Sequence, residues 1–279
     1  MPQKKLTFAP SMHYTLNIRG RLMDLSHPVV MGILNVPPDS FYAASRVETE
    51  EAIARRARQI ASEGGAIIDV GACSTRPGSE PVGEEEEMAR LRLALPVVLR
   101  EVPDAVISVD TFRPAVARMA VEELGADIIN DVGSPADGGT AAVCPAAPYI
   151  LTSRQPTLRD TLLFFSKEVD RLHSQGFKDI ILDPGFGFGK TVEQNYELLS
   201  QLERLHVTEL PVLVGVSRKS MIYKALGITP DEALNGTTAL HAVALMKGAS
   251  ILRVHDVREA VQTVRLYGQI VNSKCVNSK

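Results

Sequence analysis

The feature of this sequence that most constrains its fold is a repeated alternation of short apolar segments with longer amphipathic ones. Strands that are apolar throughout and separated by helices are typical of a parallel sheet covered on both faces. Eight such units predict an α/β protein with a (β/α)8 TIM barrel. The predicted strands are residues 29–34, 66–70, 106–109, 127–129, 149–151, 180–182, 212–214 and 251–254.

Amphipathic segments between these strands predict helices, at residues 50–63, 84–101, 113–124, 158–175, 193–205 and 236–247 among others. Several end in glycine before the next strand, as helix C-termini favour. The fifth unit is the weakest, because prolines and glycines crowd residues 135–148. A doubly wound open sheet is the alternative architecture. Residues 14–25 predict an N-terminal hairpin that plugs the barrel bottom.

Size and charge limit the class of protein. The chain has 279 residues, 45% of them hydrophobic, and barrels of about 250 residues fold as one domain. We therefore predict one domain over residues 1–279, with flexible ends at 1–12 and 273–279. A net charge of −3 argues against nucleic acid, and no apolar stretch reaches the roughly 18 residues of a membrane span. Three cysteines without metal-ligand spacing suggest a reducing compartment, so we expect a soluble cytoplasmic protein.

Polar residues follow almost every predicted strand. Helix capping explains any one of them, because Asp, Asn and Ser often start helices. Polar residues at seven of the eight strand ends instead predict a site, since the carboxyl ends of barrel strands meet at one mouth. These residues are Asn35, Asp69, Ser74 to Pro77, Asp110 with Thr111, Asn130 with Asp131, Asp183, Ser217 to Ser220, and Arg253 with His255.

The glycine-rich segment DPGFGFGKT, residues 183–191, is close to a phosphate-binding loop but does not match it. The motif requires a glycine where this chain has Pro184, and proline has no backbone N–H to offer a phosphate. We predict instead that Asp183 faces a ligand while the glycines allow a sharp turn into the next helix. Phe186 and Phe188 are candidate aromatic walls, and Lys190 is predicted to be a solvated loop lysine.

Seven short motifs give the chain a specific resemblance to a known family. MGILNVPPDSF, STRPGS, ISVDTF, IINDV, LDPGFGFGKT, VLVGVSRKS and ILRVHDV resemble, in order and spacing, the motifs of dihydropteroate synthases. The resemblance covers residues 29–257 and implies a (β/α)8 barrel. It implies a transferase of folate biosynthesis that joins 6-hydroxymethyl-7,8-dihydropterin pyrophosphate to p-aminobenzoate, releasing pyrophosphate. Family members are usually homodimers, use Mg²⁺ and are sulfonamide targets.

The resemblance also assigns roles to residues. A carboxylate can accept two hydrogen bonds from the N–C–N edge of a pterin, and Asp183 takes this role, with Asp110, Asn130 and Lys219 reading other ring edges. Asn35 matches the Mg²⁺ ligand. The implied catalytic residues are Arg76, Lys219, Arg253 and His255, the last two forming the diphosphate site. The implied substrate-binding residues are Thr75, Asp110, Asn130, Asp183, Phe188, Lys219, Ser220, Arg253 and His255, with Ser220 in the p-aminobenzoate subsite.

Two departures from the family pattern concern loops near the site. The first loop has Pro37 in place of threonine, and Ala43 and Ala44 in place of Asp-Gly. These changes remove a carboxylate and a flexible hinge from a loop thought to close over substrate. After the fifth strand, Thr152 and Ser153 stand where the family commonly has Met-His-Met, which helps to wall the pterin pocket.

Three functions are compatible with these motifs. The first is an active dihydropteroate synthase, in which the protein stabilises the leaving pyrophosphate without a covalent nucleophile. The second is a diverged relative that binds pterin with little or no turnover. The third is a methyltetrahydrofolate–corrinoid methyltransferase, which shares pterin-reading carboxylates. The motifs STRPGS, SRKS and RVH argue against the third, because methyl transfer involves neither a pyrophosphate nor an arylamine.

Overall fold

The computed structural model describes residues 13–36, 46–72, 82–133 and 144–276. The described strands are β1 Thr15–Ile18, β2 Arg21–Asp24, β3 Val29–Asn35, β4 Ile67–Gly71, β5 Val106–Asp110, β6 Ile128–Asp131, β7 Tyr149–Thr152, β8 Ile180–Asp183, β9 Leu213–Val214 and β10 Ile251–Val254. Strands β1 and β2 form an antiparallel hairpin. The other eight form a central parallel sheet in the order β8-β7-β6-β5-β4-β3-β10-β9.

The two outer strands of this order meet and close the barrel. Leu182 of β8 and Val212, just before β9, form a parallel bridge, and Leu182 donates its backbone N–H to the Pro211 carbonyl at 2.9 Å. An open sheet would leave these two strands apart. The (β/α)8 barrel is therefore confirmed, and the open-sheet alternative is wrong.

Helices surround the barrel and cover the outward-facing side chains of the strands. They are α1 Arg46–Ser62, α2 Glu84–Glu101, α3 Pro114–Glu122, α4 Leu158–Ser174, α5 Val192–Ser200, α6 Ser220–Leu226, α7 Leu234–Met246 and α8 Val257–Val276. The helix predicted at 193–205 divides, because the chain leaves helical geometry at Gln201 and continues as a 3-10 helix over Leu202–Thr208. None of the described helices is both long and apolar enough to cross a membrane.

The N-terminal hairpin closes the bottom of the barrel. Leu16, Ile18 and Leu25 are buried and pack in one cluster with residues from the N-terminal ends of the barrel strands. Arg19, at the tip of the hairpin, forms an ion pair with Asp127 at 2.5 Å, and Asp127 also accepts the Ile107 backbone N–H at 2.8 Å. The predicted plug is confirmed, so ligands reach the barrel interior from the opposite end.

Candidate active site at the carboxyl ends of the strands

The barrel interior changes from apolar to polar along the strands. Side chains two residues apart on a strand point to the same side, and each of the eight strands contributes an apolar residue to the cluster around the hairpin. The next interior position on every strand forms a second layer, in which most side chains are polar. That layer consists of Ile33, Asp69, Ser108, Asn130, Thr152, Asp183, Gly215 and Arg253.

Asp69 is the centre of a hydrogen-bond network in this layer. It is fully buried and accepts hydrogen bonds from Ser108 Oγ at 2.7 Å, Asn130 Nδ2 at 3.1 Å and Arg253 Nε at 2.6 Å. Arg253 also donates from Nη2 to Asp110 at 2.6 Å. Each partner comes from a different strand, so the network fixes β4, β5, β6 and β10 relative to one another. The sequence placed Asp69 among the polar strand ends but gave it no role.

The charge of Arg253 is engaged within this network. Burial disfavours the charged guanidinium, but Asp69 and Asp110 outweigh this effect and raise the pKa of Arg253. Burial also raises the pKa of the Asp110 carboxyl, and the attraction of Arg253 offsets only part of that rise. The resemblance assigns Arg253 to a diphosphate site. In the structure two of its nitrogens already bind carboxylates, so its positive charge is largely compensated before any anion arrives.

Asp183 and Lys219 carry opposite charges at the mouth, and each affects the pKa of the other. Asp183 is 5% exposed, and its Oδ1 accepts the Gly185 backbone N–H at 2.7 Å. Burial raises the pKa of Asp183, whereas the charge of Lys219 and the Gly185 N–H oppose the rise. Burial also lowers the pKa of Lys219 to about 8, against the opposing effect of Asp183. The ammonium donates to the Phe186 carbonyl. The role of these two residues in substrate binding stays a prediction.

Two buried oxygens in the second layer have no hydrogen-bond partner among the residues that the structure describes. They are Asn130 Oδ1 and Thr152 Oγ1. Thr152 is the register neighbour of Asp183, and Asn130 already uses its amide nitrogen on Asp69. An unpaired buried acceptor costs about 1–3 kcal/mol, which a ligand donor would recover. The site therefore presents Asp183, Asn130 and Thr152 as hydrogen-bond acceptors suited to a donor-rich edge.

Two predictions for the glycine-rich loop at residues 183–191 are wrong. Lys190 is half-buried, and its ammonium donates to the carbonyls of Ser153 at 3.2 Å, Gly185 at 3.0 Å and Phe188 at 3.4 Å. It therefore fastens this loop to the end of β7 and is not solvated, because the tight turn directs several carbonyls to one point. Phe186 is completely buried in the outer core, so it supports the loop and does not wall the site.

Phe188 lies close to two cations. Its ring centroid is 4.7 Å from Lys219 Nζ and 5.5 Å from Arg154 Cζ. Arg154 is itself fixed by two hydrogen bonds to the Val132 carbonyl, from Nε at 3.1 Å and from Nη2 at 2.5 Å. Cations over the face of an aromatic ring hold its orientation. The half-buried Phe188 ring is thus a positioned aromatic surface beside Lys219.

The loops after β9 and β10 are joined by an ion pair. Arg218 donates to Asp256 from Nε at 2.8 Å and from Nη2 at 2.9 Å. Arg218 lies in the left-handed region, with φ 54°, and its backbone N–H donates to Thr237 Oγ1 at 3.0 Å. We call this ion pair the Arg218–Asp256 clasp. Arg218 directly precedes Lys219 and Ser220, and Ser220 is the first residue of α6. The sequence placed Arg218 at the mouth but did not predict the pair.

Asn35 ends β3, one interior position beyond Ile33 of the second layer. It pairs in register with Gly71, which pairs with Asp110, which in turn pairs with Asn130. Asn35 is exposed, and a β-carbon placed on Gly71 would lie 3.5 Å from Asn35 Oδ1 and 3.7 Å from Asp110 Cβ. Gly71 thus keeps open the space between these two side chains. His255 directly follows β10, and its Nδ1 lies 3.1 Å from Ser217 Oγ.

Some predicted site residues lie outside the described residues. They are Thr75 and Arg76, with the altered first-loop positions Pro37, Ala43 and Ala44. The described part of the site therefore contains the residues predicted at the ends of β5, β6, β8, β9 and β10. The altered positions at the end of β7 are Thr152, its last residue, and Ser153, and both are buried.

Comparisons with known proteins agree with this geometry. Residues 31–255 match the family model described as pterin binding enzyme. The dihydropteroate synthase of Escherichia coli is 40% identical over 275 residues, with 92% of this chain and 96% of that protein covered. The chain belongs to the dihydropteroate synthase family.

Solved structures extend the similarity to the whole fold. A dihydropteroate synthase from Xanthomonas albilineans, solved with 4-aminobenzoic acid, is 35% identical with a TM-score of 0.83, and the match covers 95% of this chain and 98% of that one. A dihydropteroate synthase from Anaplasma phagocytophilum, solved with 6-hydroxymethylpterin-monophosphate, is 32% identical with a TM-score of 0.81, and the match covers 88% and 99%. The family resemblance of the sequence motifs is confirmed.

Proposed function

We propose that this member of the dihydropteroate synthase family joins 6-hydroxymethyl-7,8-dihydropterin pyrophosphate to p-aminobenzoate, forming 7,8-dihydropteroate and pyrophosphate. The observation that carries the proposal is the group of buried acceptors around Asp183, which includes the unpaired Asn130 Oδ1. A pterin presents adjacent N–H donors that match such acceptors. The relatives at 35–40% identity support the same reaction.

Recognition of the pterin depends on charged and neutral acceptors together. Asp183 Oδ1 is already oriented by the Gly185 N–H, so the carboxylate is fixed before the ligand binds. It accepts two ring donors side by side, and Asn130 Oδ1 accepts a third. A buried site built for such donors strongly rejects analogues that lack them, because its own groups would stay unpaired. Lys219 supplies a donor to the ring carbonyl.

The reaction needs stabilisation of the leaving group and no covalent nucleophile. The bond between the methylene carbon and the pyrophosphate oxygen breaks, and the electron pair leaves with pyrophosphate. The arylamine nitrogen then forms a bond to that carbon and loses a proton. Cations around the departing oxygens lower the barrier. In the described interior, Lys219, Lys190 and Arg253 face Asp69, Asp110 and Asp183, so charges nearly cancel and additional cations are required.

Mg²⁺ and Arg76 are the proposed additional cations. Asn35 Oδ1 fits the metal, because Mg²⁺ prefers oxygen ligands and commonly takes most of them from water and substrate phosphates. Gly71 leaves space beside this oxygen. Among the described residues, no three His, Cys, Asp or Glu side chains form a metal cluster, so Asn35 would act with substrate oxygens. When bound, the ion would neutralise charge that develops on pyrophosphate.

The arylamine subsite is proposed at Ser220 and Phe188. Ser220 is partly exposed at the start of α6, directly after Lys219. The Phe188 ring beside Lys219 offers a flat apolar surface for the aromatic ring of p-aminobenzoate. Sulfonamides share that ring and a charged or polar substituent, so we infer that they compete with p-aminobenzoate here.

Measurement of pyrophosphate release tests the proposed reaction. Purified protein with Mg²⁺ and the pterin pyrophosphate should release pyrophosphate and form dihydropteroate when p-aminobenzoate is present. The Asp183→Asn variant should show neither, and it serves as the matched negative control. If the native chain binds the pterin but forms no dihydropteroate, the binding protein with little turnover becomes the better function.

A homodimer is proposed from the outer surface. The exposed apolar side chains Leu226, Val243, Leu266 and Ile270 lie on α6, α7 and α8, and α7 packs against both of its neighbours. Light scattering after size exclusion should give twice the mass of one chain. Leu266→Glu should reduce that mass, whereas the matched change Leu163→Glu on α4 should not. Equal effects of both variants would locate the contact elsewhere.

Cytoplasmic location stays a prediction from cysteine usage. Cys144 is buried and unpaired in the described part of the chain. Subcellular fractionation of the native host would test the prediction.

A further inference from the structure

The side-chain amide of Asn130 is held inside the barrel by Asp69. Asn130 Nδ2 lies 3.1 Å from Asp69 Oδ2, and Arg253 Nε lies 2.6 Å from the same oxygen. Asn130 is 1% exposed and Asp69 is fully buried. The other end of the amide, Asn130 Oδ1, has no hydrogen-bond partner among the described residues. Within the described part of the chain, Asp69 is thus the side chain that forms a hydrogen bond with this amide.

The chemistry of Arg253 decides which end of the amide faces Asp69. A guanidinium can only donate hydrogen bonds, so Asp69 Oδ2 is an acceptor. The positive charge of Arg253 also disfavours a proton on that oxygen. Such an acceptor attracts the NH2 group of Asn130 and repels its carbonyl oxygen. This assignment does not depend on Ser108, which contacts the other carboxylate oxygen of Asp69. The oxygen of the Asn130 amide is therefore directed away from Asp69.

We propose that Asp69 is a positioning residue that holds the Asn130 amide with its oxygen available to the pterin. The inference rests on the proposed function, in which Asn130 accepts a hydrogen bond from the ring. The two ends of an amide have nearly the same size, so packing alone does not distinguish them. In the reversed orientation, the NH2 group would face an N–H donor of the ring. Asp69 thereby makes this position selective for a ligand edge that donates.

The main chain around Asn130 is fixed independently of the amide. Asn130 pairs in register with Asp110 of β5 and with Ile150 of β7, and its backbone carbonyl accepts the Thr111 backbone N–H at 3.1 Å. These contacts hold the residue in the ladder, but they do not touch the amide group. The orientation of the amide therefore depends on Asp69 and not on the strand.

Removal of the acceptor should reverse the amide. In Asp69→Ala the Nε–H group of Arg253 loses this acceptor, and the nearby Asn130 oxygen can replace it. We therefore expect the amide to turn its oxygen to Arg253 and its NH2 group to the ligand. In Asp69→Asn the guanidinium should orient the introduced amide so that its oxygen again accepts from both Arg253 and Asn130. The two variants lose the same charge, but only Asp69→Ala loses the acceptor.

Neutron diffraction from deuterated crystals of the native protein tests the orientation directly. Deuterium should lie on the side-chain atom of Asn130 that faces Asp69, and not on the atom that faces away. The opposite pattern would overturn the proposal, and this measurement does not require any variant to fold. It also needs no ligand. A protein with the expected orientation that binds no pterin would therefore contradict the proposed function and leave the positioning role of Asp69 intact.

Titration calorimetry with 6-hydroxymethylpterin links the orientation to binding. Asp69→Ala should bind this ligand roughly tenfold more weakly, the effect of one lost hydrogen bond. Asp69→Asn should stay within about threefold of the native affinity, because it keeps the acceptor. Equal losses in the two variants would overturn the proposal, since they would show that the charge of Asp69 matters and the orientation of Asn130 does not.

Double variants show whether Asp69 acts through Asn130. The loss caused by Asp69→Ala should nearly vanish when Asn130→Ala is already present. It should persist in the presence of Thr152→Val, the matched control, because Thr152 is also an unpaired buried acceptor of the described second layer but does not bind Asp69. A loss that persists fully with Asn130→Ala would show that Asp69 acts through another residue and would overturn the proposal.

Discussion

Gly185 and the Ser153 carbonyl are so close that a β-carbon on Gly185 would lie 1.9 Å from the oxygen. Gly185 also has φ 69°, a region that other residues rarely adopt. This contact brings the turn after β8 against the end of β7, where Ser153 receives Lys190 as well. The same turn directs the Gly185 backbone N–H to Asp183, which accepts its hydrogen bond. Only glycine satisfies both requirements.

We therefore predict that Gly185→Ala destabilises the protein by about 2–5 kcal/mol, the sum of a left-handed backbone cost and overpacking against main chain. Gly227→Ala is the matched control. Gly227 has φ 66°, and no heavy atom lies within 4 Å of its β-carbon position, so it should lose only about 1–2 kcal/mol. Urea unfolding of both variants measures the difference. Similar losses would mean that the Ser153 contact relaxes easily.

Asp183→Asn should fold and lose pterin affinity by about 2–5 kcal/mol, because one amide oxygen cannot accept two ring donors as a carboxylate does. Titration calorimetry with 6-hydroxymethylpterin measures the loss. Asp170→Asn removes the same charge from an exposed position on α4 and should bind normally. Native affinity in Asp183→Asn would show that this carboxylate only orients the turn.

The barrel could be predicted from the sequence because the outward faces of its strands are continuously apolar. The strand ends were less accurate. Residues 106–109 and 180–182 were predicted, whereas β5 and β8 extend to Asp110 and Asp183. Both aspartates are in register within the ladder. A polar residue that points into a barrel interrupts the apolar pattern without ending the strand, so several site residues belong to strands and not to loops.

The site could be predicted only in outline, because the motifs show which residue types meet and not which of them pair. Asp69 and Arg253 are far apart in sequence, and their bond at 2.6 Å depends on barrel closure. The burial of Lys190 could not be predicted, because its partners are backbone carbonyls. Every residue has a backbone carbonyl, so the sequence does not show which of them a lysine will bind. The Arg218–Asp256 clasp could not be predicted either, because these two residues, like Asp69 and Arg253, are far apart in sequence.

The pH dependence of anion binding should reveal Lys219. Burial lowers its pKa from the usual 10.5 to about 8, so the ammonium loses its proton as pH rises through 8 and pyrophosphate affinity should fall there. Lys219→Arg stays protonated and should shift this decline to higher pH. Titrations from about pH 6.5 to 9.5 compare the proteins under identical ligand ionisation.

Lys190→Arg is the control, because burial lowers the pKa of Lys190 to about 8 as well. Its partners are loop carbonyls, so this variant should keep the native decline. If Lys190→Arg shifts the fall in pyrophosphate affinity to higher pH and Lys219→Arg does not, protonation of Lys190 controls binding instead.

The Arg218–Asp256 clasp should stabilise the fold by about 1.5–3 kcal/mol, the range for hydrogen bonds to charged groups. A double-mutant cycle of Arg218→Gln and Asp256→Asn, read by urea unfolding, gives the coupling energy. Each single variant should also raise the KM for p-aminobenzoate, because Lys219 and Ser220 follow the clasp. Zero coupling would show that the backbone bond to Thr237 suffices to hold this loop.

The altered first loop gives the last prediction. Closure of loops over a barrel mouth excludes water and brings reactants together, and this chain has Pro37, Ala43 and Ala44 where the family has Thr, Asp and Gly. These positions lie outside the described residues, whereas Asp183 and Lys219 lie on the described barrel. We therefore expect near-normal binding of the pterin pyrophosphate with a turnover below about 1 per second, at the slow end for enzymes.

The triple change Pro37→Thr, Ala43→Asp and Ala44→Gly should raise kcat and leave pterin affinity nearly constant, because the restored groups act on closure and not on the fixed acceptors. Steady-state kinetics on both proteins decides between the possibilities. A native kcat of ordinary size would show that this loop closes adequately without the family residues, and an unchanged low kcat in the triple variant would place the limitation at Thr152 and Ser153 on the pocket wall.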